Sequence, residues 1–367
     1  EFLDYLADFR FTGDVFAIPE GTPVFPNEPV LEVVAPLPEA QLAETMLLNQ
    51  VHHQTLMASK ASRVVDAAGE GAVVDFGARR MHGIDASLKA ARAFHIAGAS
   101  ATSNVLAGQV YGIPVSGTMA HSYIEAHDHE QAAFEAFATA YPETVLLVDT
   151  YDTLEGVRKV TEMARRWGEA LRVRAIRLDS GDLGRLARES RAILDDAGLQ
   201  EVGILASGSL DEYAIAELRA EGAPIDGYGV GTHMGVSEDA PYLDCAYKLV
   251  AYAGKPRMKL ATHKVTLPGR KQVFRQLDDR GFYQRDLVAG EHEQAPGTPL
   301  LQPVMREGRR LPEASPALET IRERAQRERE ALPTAQRALE PAAAPYPVAV
   351  SGDLEKTAEA LRQRLGG

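Results

Sequence analysis

The sequence predicts an α/β protein: a βα barrel in the middle of the chain and a small β-rich domain drawn from both ends. Three observations predict it. Short β-branched runs alternate with helical stretches at the spacing of βα units in a parallel sheet. The runs are AVVDFGARR (72–80), IPVSGTMAHS (113–122), TVLLVDTYD (144–152), VRAIRLDSGD (173–182), VGILASGS (202–209) and IDGYGVGT (225–232). Nearly every run carries Asp, Arg, Ser, Thr or Gly at its C-terminal end. A barrel gathers those ends on one face, whereas an open sheet spreads them along its edge. Outside the runs, short apolar pairs broken by Pro, Gly and Asn read as strands joined by tight turns.

Taken in order, residues 1–10 (EFLDYLADFR) read as the end of an amphipathic helix, and 14–36 as short strands. From Glu39 to Ala68 the pattern is helical, with Leu42, Met46, Leu47, Gln50 and Val51 at three- and four-residue spacing. The βα rhythm stops near residue 250. The following KLVAYAGKPRMKLATHKVTLPGRKQVFRQLDDRGFYQRDLVA reads as β again and completes the N-terminal β domain. SPALETIRERAQREREAL reads as a solvated helix with Glu and Arg paired along one face. The last helix, DLEKTAEALRQRL, has Ser351 or Asp353 as its cap. The resulting divisions are 1–62, 63–250 and 251–367, with the barrel in the middle.

Composition narrows the partners. The 367 residues are 45% hydrophobic and 25% charged, the balance of a folded protein. Thirty-nine Lys and Arg against 52 Asp and Glu give a net charge of −13, which argues against nucleic acid or an anionic membrane as partner. A local pocket can still be positive. One cysteine, Cys245, permits no internal disulfide and no multi-cysteine metal site, which fits a reducing, cytoplasmic compartment. No apolar run approaches the length of a membrane helix, and no signal peptide is visible.

Four constellations can carry chemistry. In GTMAHS, Gly117, Thr118, His121 and Ser122 gather backbone N–H groups and hydroxyls at a helix opening, a place suited to an anion. His121 there can be a base, a ligand, a phosphoryl acceptor or simply a capping residue. Asp149, Asp152, Asp179 and Asp182 lie at strand ends. Such acids bind a cation or a sugar diol, and Mg²⁺ held with a ligand's phosphates is one reading. Asp152 and Asp182 serve equally well as helix caps; Asp149 and Asp179 are the stronger candidates. ASGS (206–209) and GVGT (229–232) place Gly208, Ser209, Gly229, Gly231 and Thr232 on the last two runs, where βα barrels often hold phosphate. Arg79, Arg80 and Arg177 supply cations for anionic ligands. Arg177, between Ile176 and Leu178, must point into the barrel mouth or be paired. His52, His53, His127, His129, His233 and His263 show no metal spacing, and the HDH at 127–129 reads as solvated positions on a helix.

DFGARR, TSNVLAG, GTMAHS, LLVDTYDT, RLDSGDL, YGVGT, KPRMKL and PGRKQVFR, in this order, resemble nicotinate phosphoribosyltransferases over nearly the whole chain. The resemblance implies an irregular α/β barrel and a β-rich domain built from both termini. It implies that nicotinate and phosphoribosyl pyrophosphate are joined, with ATP as co-substrate and Mg²⁺, in a homodimer of NAD biosynthesis. It further implies that His121 becomes phosphorylated, that Thr118 and Arg177 bind nicotinate, and that Thr232 meets the phosphoribosyl phosphate. Gly208, Ser209, Gly229 and Gly231 join that cradle by their place in the barrel. Asp179 takes the ribose diol or its metal, with Asp149 as a second metal ligand, and Arg80 takes the ligand anions. The family's TDLY-like N-terminal segment, whose aromatic ring stacks on the pyridine, is not among residues starting Glu1-Phe2-Leu3, so the expected nicotinate site is incomplete. The cysteine-rich metal site of some members is excluded by the single cysteine.

Rival readings are a nicotinamide or quinolinate phosphoribosyltransferase of the same architecture, and a truncated chain that binds phosphoribosyl ligands without turnover. A type I phosphoribosyltransferase fails because LLVDTYDTLEG lacks the Thr-Gly-rich loop that class uses. A barrel aldolase fails for want of a strand-end lysine in the six runs.

Overall fold

The computed structural model describes residues 1–260 and 266–366; His263 and its neighbours at 261–265 lie outside the described residues. The chain forms two compact units, one of Glu1–His52 with Asp244–Gly367 and one of His53–Leu243. The helix Leu37–Ala68 runs across the first division, and the boundary read from sequence at residue 62 falls inside that helix.

The first unit takes strands from both chain ends. Asp14–Ala17 pairs antiparallel with Leu31–Val34 on one side and with Gln302–Arg306 on the other. A second sheet has the order Thr298–Pro299, Lys271–Leu277, Tyr283–Gly290, Val348–Val350, its last pair parallel. Val273, Val288, Leu300 and Leu354 form a core cluster. The helix Gly352–Gly366 opens under Ser351, whose hydroxyl accepts the Leu354 N–H at 3.2 Å.

The second unit holds the parallel sheet. Its order is Ala101–Thr102, Ala72–Asp75, Gly227–Val230, Gly203–Ser207, Ala175–Leu178, Val145–Leu147. First and last βα units therefore pair directly, Ala72–Asp75 with Gly227–Val230, as ring closure requires. One isolated bridge, Thr102 to Val115, continues the order beyond Thr102. The result is a curled sheet whose strands follow one another as in a barrel, without a ladder between Val115 and Val145 among the described residues.

Two readings of the sequence are corrected here. The run 113–122 is not a strand. Pro114 has no N–H to give a ladder, and only its carbonyl and the Ser116 N–H bond to Thr102. The strand in that place is Ala101–Thr102, two residues long and too short to leave a periodic pattern. His127 and His129 do not lie on a helix. They occupy the turn between the helices His121–Glu125 and Glu130–Ala140, where His127 Nδ1 is 2.8 Å from the Tyr123 carbonyl. That local bond competes with helix continuation.

Helices follow the strands on side-chain caps. Asp152 accepts the Glu155 N–H, Asp182 the Arg185 N–H and Asp211 the Ala214 N–H, at 2.9, 2.9 and 2.8 Å. Asp152 and Asp182 are thus caps, the plainer of their two readings. Ile176 and Leu178 are fully buried in the cluster that includes Leu186, Ala187 and Leu194. Strand alternation then turns Arg177 and Asp179 to the opposite face. Among the described residues, no helix is long and apolar enough to cross a membrane.

Candidate active site

Register builds the site. Leu147, Arg177 and Leu205 are aligned across three parallel strands. Two residues further on, Asp149, Asp179 and Ser207 fall side by side at the strand ends. Asp149 Oδ2 accepts the Asp179 backbone N–H and the Ser180 hydroxyl, both at 2.8 Å. The Ser207 hydroxyl donates to Asp179 Oδ1 at 2.5 Å. Asp149 Oδ1 is buried and carries no hydrogen bond among the described residues.

His121 opens the five-residue helix His121–Glu125 and faces this row. Its Nδ1 lies 3.1 Å from Thr150 Oγ1, and its Nε2 lies 3.5 Å from Asp179 Oδ2. The ring is therefore held at one nitrogen, while a carboxylate faces the other.

Arg177 lies one layer deeper. Its Nη2 donates to the Met119 carbonyl at 3.3 Å, and the Thr118 hydroxyl donates to the same carbonyl at 3.0 Å. Two residues far apart in sequence are thereby placed together. Burial pushes the guanidinium down from its ordinary pKa, Asp179 and Asp149 oppose that shift, and Arg79 adds to it. Arg177 Nε is buried and has no hydrogen-bond partner among the described residues. A buried donor left unmade is costly, so an anion arriving there restores what folding gave up.

Sequence reasoning missed Phe76. Its ring centroid is 5.8 Å from Arg177 Cζ, and it packs on Gly229, where a Cβ would come within 2.5 Å of the ring. Gly229 is thus explained first by the aromatic beside it. A lone Phe after a strand carries no sequence signal. Asp75 was missed as well: fully buried, it accepts the Gly77 N–H at 2.8 Å and the Thr102 hydroxyl at 2.7 Å. It thereby pins the turn that presents Phe76.

The remaining candidates gather at the two last strand ends. Gly208 and Ser209 follow the strand Gly203–Ser207 with φ of +92° and +51°. Gly231 precedes the short helix Thr232–Gly235. The exposed Arg80 donates from Nη1 to Thr232 Oγ1 at 3.0 Å. Asp152 and Asp182 stay with their helices as caps. Among the described residues, no group of three or more His, Cys, Asp or Glu side chains could hold a metal ion.

A curled parallel βα sheet with carboxylates, an arginine and glycine-rich turns at its strand ends is the arrangement of a βα-barrel enzyme acting on small molecules. Three family descriptions match the chain: the nicotinate phosphoribosyltransferase N-terminal domain over residues 1–52, the nicotinate phosphoribosyltransferase family over 72–220, and the C-terminal domain over 297–358. The nicotinate phosphoribosyltransferase pncB2 of Mycobacterium tuberculosis is 56% identical over 351 residues, covering 96% of this chain and 76% of that protein. The nicotinate phosphoribosyltransferase of Bacillus subtilis is 44% identical over 287 residues, 76% of this chain and 59% of that one. The crystal structure of human nicotinic acid phosphoribosyltransferase superposes with a TM-score of 0.88 at 31% identity, covering 98% of this chain and 85% of that one. The chain belongs to the nicotinate phosphoribosyltransferase family, enzymes of NAD biosynthesis.

Proposed function

We propose that the phosphoribosyl transfer of this family runs here in its ATP-coupled form. Nicotinate and phosphoribosyl pyrophosphate give nicotinate mononucleotide and pyrophosphate. ATP phosphorylates His121, and hydrolysis of the phosphohistidine to phosphate drives the equilibrium, leaving ADP. The observation that carries the choice of nicotinate is Arg177, half-buried beside Thr118, with an Nε that has no hydrogen-bond partner among the described residues. That donor suits a carboxylate, which distinguishes nicotinate from its amide.

In this reading Arg177 and Thr118 orient the pyridine ring against Phe76. The ring nitrogen is already nucleophilic and needs positioning more than a base. Asp179 faces the ribose carbon, where oxocarbenium character develops as the pyrophosphate departs. Gly208, Ser209, Gly229, Gly231, Thr232 and Arg80 form the phosphoribosyl cradle. Mg²⁺, when bound, offsets the charge gathering on the leaving pyrophosphate. Asp149 Oδ1 carries no hydrogen bond among the described residues, Asp179 Oδ2 faces only His121 Nε2, at 3.5 Å, among them, and a carboxylate pair fits a cation that takes most of its ligands from phosphate and water. A homodimer in the cytoplasm completes the reading, in keeping with the single exposed cysteine, Cys245.

Labelling with γ-phosphate-labelled ATP tests it. Wild-type protein takes up an acid-labile label, and His121→Ala takes up none. Label that persists in His121→Ala removes His121 as the acceptor. A competition between nicotinate and nicotinamide in the same preparation tests the carboxylate preference.

A further inference from the structure

Two acidic pairs lie in the loops after the last two strands, outside the site described above. Asp211 and Glu212 open the helix Glu212–Ala220, just beyond Gly208 and Ser209. Glu238 and Asp239 follow the short helix Thr232–Gly235. One lysine reaches both loops. Lys60, on the C-terminal half of Leu37–Ala68, places Nζ 2.7 Å from Glu212 Oε2, 2.9 Å from Glu212 Oε1 and 2.6 Å from Asp239 Oδ1. Lys60 is 4% exposed and Glu212 is fully buried. Arg63, one turn on, donates Nε to Glu212 at 2.9 Å. His233 spans the same gap, with Nε2 3.1 Å from Glu238 Oε2 and Nδ1 3.9 Å from Asp211 Oδ2.

A buried ammonium is tolerated only where acceptors surround it. Burial pushes the Lys60 ammonium towards deprotonation, but the hydrogen bonds to Asp239 and Glu212 outweigh burial and hold its pKa above the ordinary lysine value. The charge therefore stays in place, with one acid from each loop bonded to it. General stability does not call for this choice, since apolar packing does that work at lower desolvation cost. A charged bridge fixes geometry instead.

We propose that Lys60 is a positioning residue for phosphoribosyl binding: by holding Glu212 and Asp239 together, it sets the spacing of the two loops that carry Gly208 and Ser209, and Gly231 and Thr232. The inference rests on the assignment of those loops to the phosphoribosyl phosphate. Backbone donors must meet a phosphate within a fraction of an ångström, so a bridge at the loop bases acts on affinity without touching the ligand. Nicotinate, held from Arg177 and Thr118, does not depend on that spacing.

The test uses the full chain and phosphoribosyl pyrophosphate alone, with affinity read by calorimetry and KM for each substrate read separately. Asp239→Asn alters the outer arm, whose side chain is 43% exposed, so the variant keeps its fold. It is expected to weaken phosphoribosyl pyrophosphate binding about tenfold, while KM for nicotinate moves less than about twofold. Lys60→Met weakens the same affinity further, and Lys60→Arg restores part of it. If Tm falls in these variants while the two substrates are affected equally, or not at all, Lys60 is a stability residue and the inference is overturned. Thr232→Val separates the two levels. If it leaves phosphoribosyl pyrophosphate affinity intact, the loop assignment fails and takes the inference with it. If it weakens binding while the Asp239 and Lys60 variants do not, only the positioning role fails.

Discussion

Gly208 packs its Cα directly on the backbone of Asp179: a Cβ there would lie 1.9 Å from the Asp179 carbonyl oxygen, at a φ of +92° that side chains rarely adopt. Two turns at adjacent strand ends are thereby fitted to each other, and one of them carries the central carboxylate. Gly208→Ala must displace one turn or the other. The expected cost is about 2–4 kcal/mol, since backbone strain and overpacking act together. Urea unfolding followed by circular dichroism measures it. A midpoint equal to wild type would show that the two turns do not pack as described.

The strand-end acids divide by what they touch. Among the described residues, Asp182 accepts only the Arg185 N–H at hydrogen-bond distance, and it sits at a helix start. Asp179 meets Ser207 and faces His121. Asp182→Ala is therefore expected to cost about 1 kcal/mol of stability and to leave kcat within about twofold. Asp179→Asn keeps the shape and removes the charge, so kcat falls by about a hundredfold or more with little change in Tm. Steady-state kinetics beside thermal melts give both quantities. Equal kinetic losses in the two variants would refute the division.

Much of this arrangement was legible in the sequence, and the exceptions have physical causes. The βα rhythm located the strands at 72, 145, 175, 203 and 227 because each is a short, largely apolar run bounded by turn residues and followed by a helix. Ala101–Thr102 escaped because a two-residue strand has no period. Pro114 and Val115 imitated one because a single bridge needs no ladder. Arg177 was recognisable since a charge between two core residues has few places to go. Phe76 and Asp75 were not, because their roles arise from contacts with Gly229 and Thr102 on the neighbouring strands, and with the Gly77 turn, that only the folded sheet creates.

Arg177 gives a sharper prediction about specificity. Its Nη2 is spent on Met119, its Nε has no partner among the described residues, and the Phe76 ring lies alongside. Arg177→Gln keeps a donor and removes the charge. KM for nicotinate is expected to rise by about thirtyfold or more, the loss of a charge-assisted bond worth about 2 kcal/mol or more. The preference for nicotinate over nicotinamide should shrink, because the amide never used the charge. A fall in kcat with both KM values unchanged would place Arg177 elsewhere in the mechanism.

The β-rich unit carries its own pH dependence. Burial, then the facing Asp286 carboxyl, push Glu28 up from 4.5 to about 8, although the Phe25 N–H and Arg275 pull it down. Asp286 is itself committed to Arg275, whose Nη2 donates to Asp286 Oδ2 at 2.6 Å. The folded state therefore binds a proton at Glu28 that the unfolded chain releases near pH 4.5. The sign follows from linkage: this contribution is fully present below about pH 4.5 and is lost as pH rises through about 8. Allowing for partial exposure, the loss between pH 5 and pH 8 amounts to about 1–2 kcal/mol. Glu28→Gln cannot ionise, so it should lose less stability over that interval and exceed wild type at pH 8. Urea midpoints for both proteins at pH 5, 6.5 and 8 decide the matter. Parallel curves would mean that Glu28 is ionised in the folded state throughout.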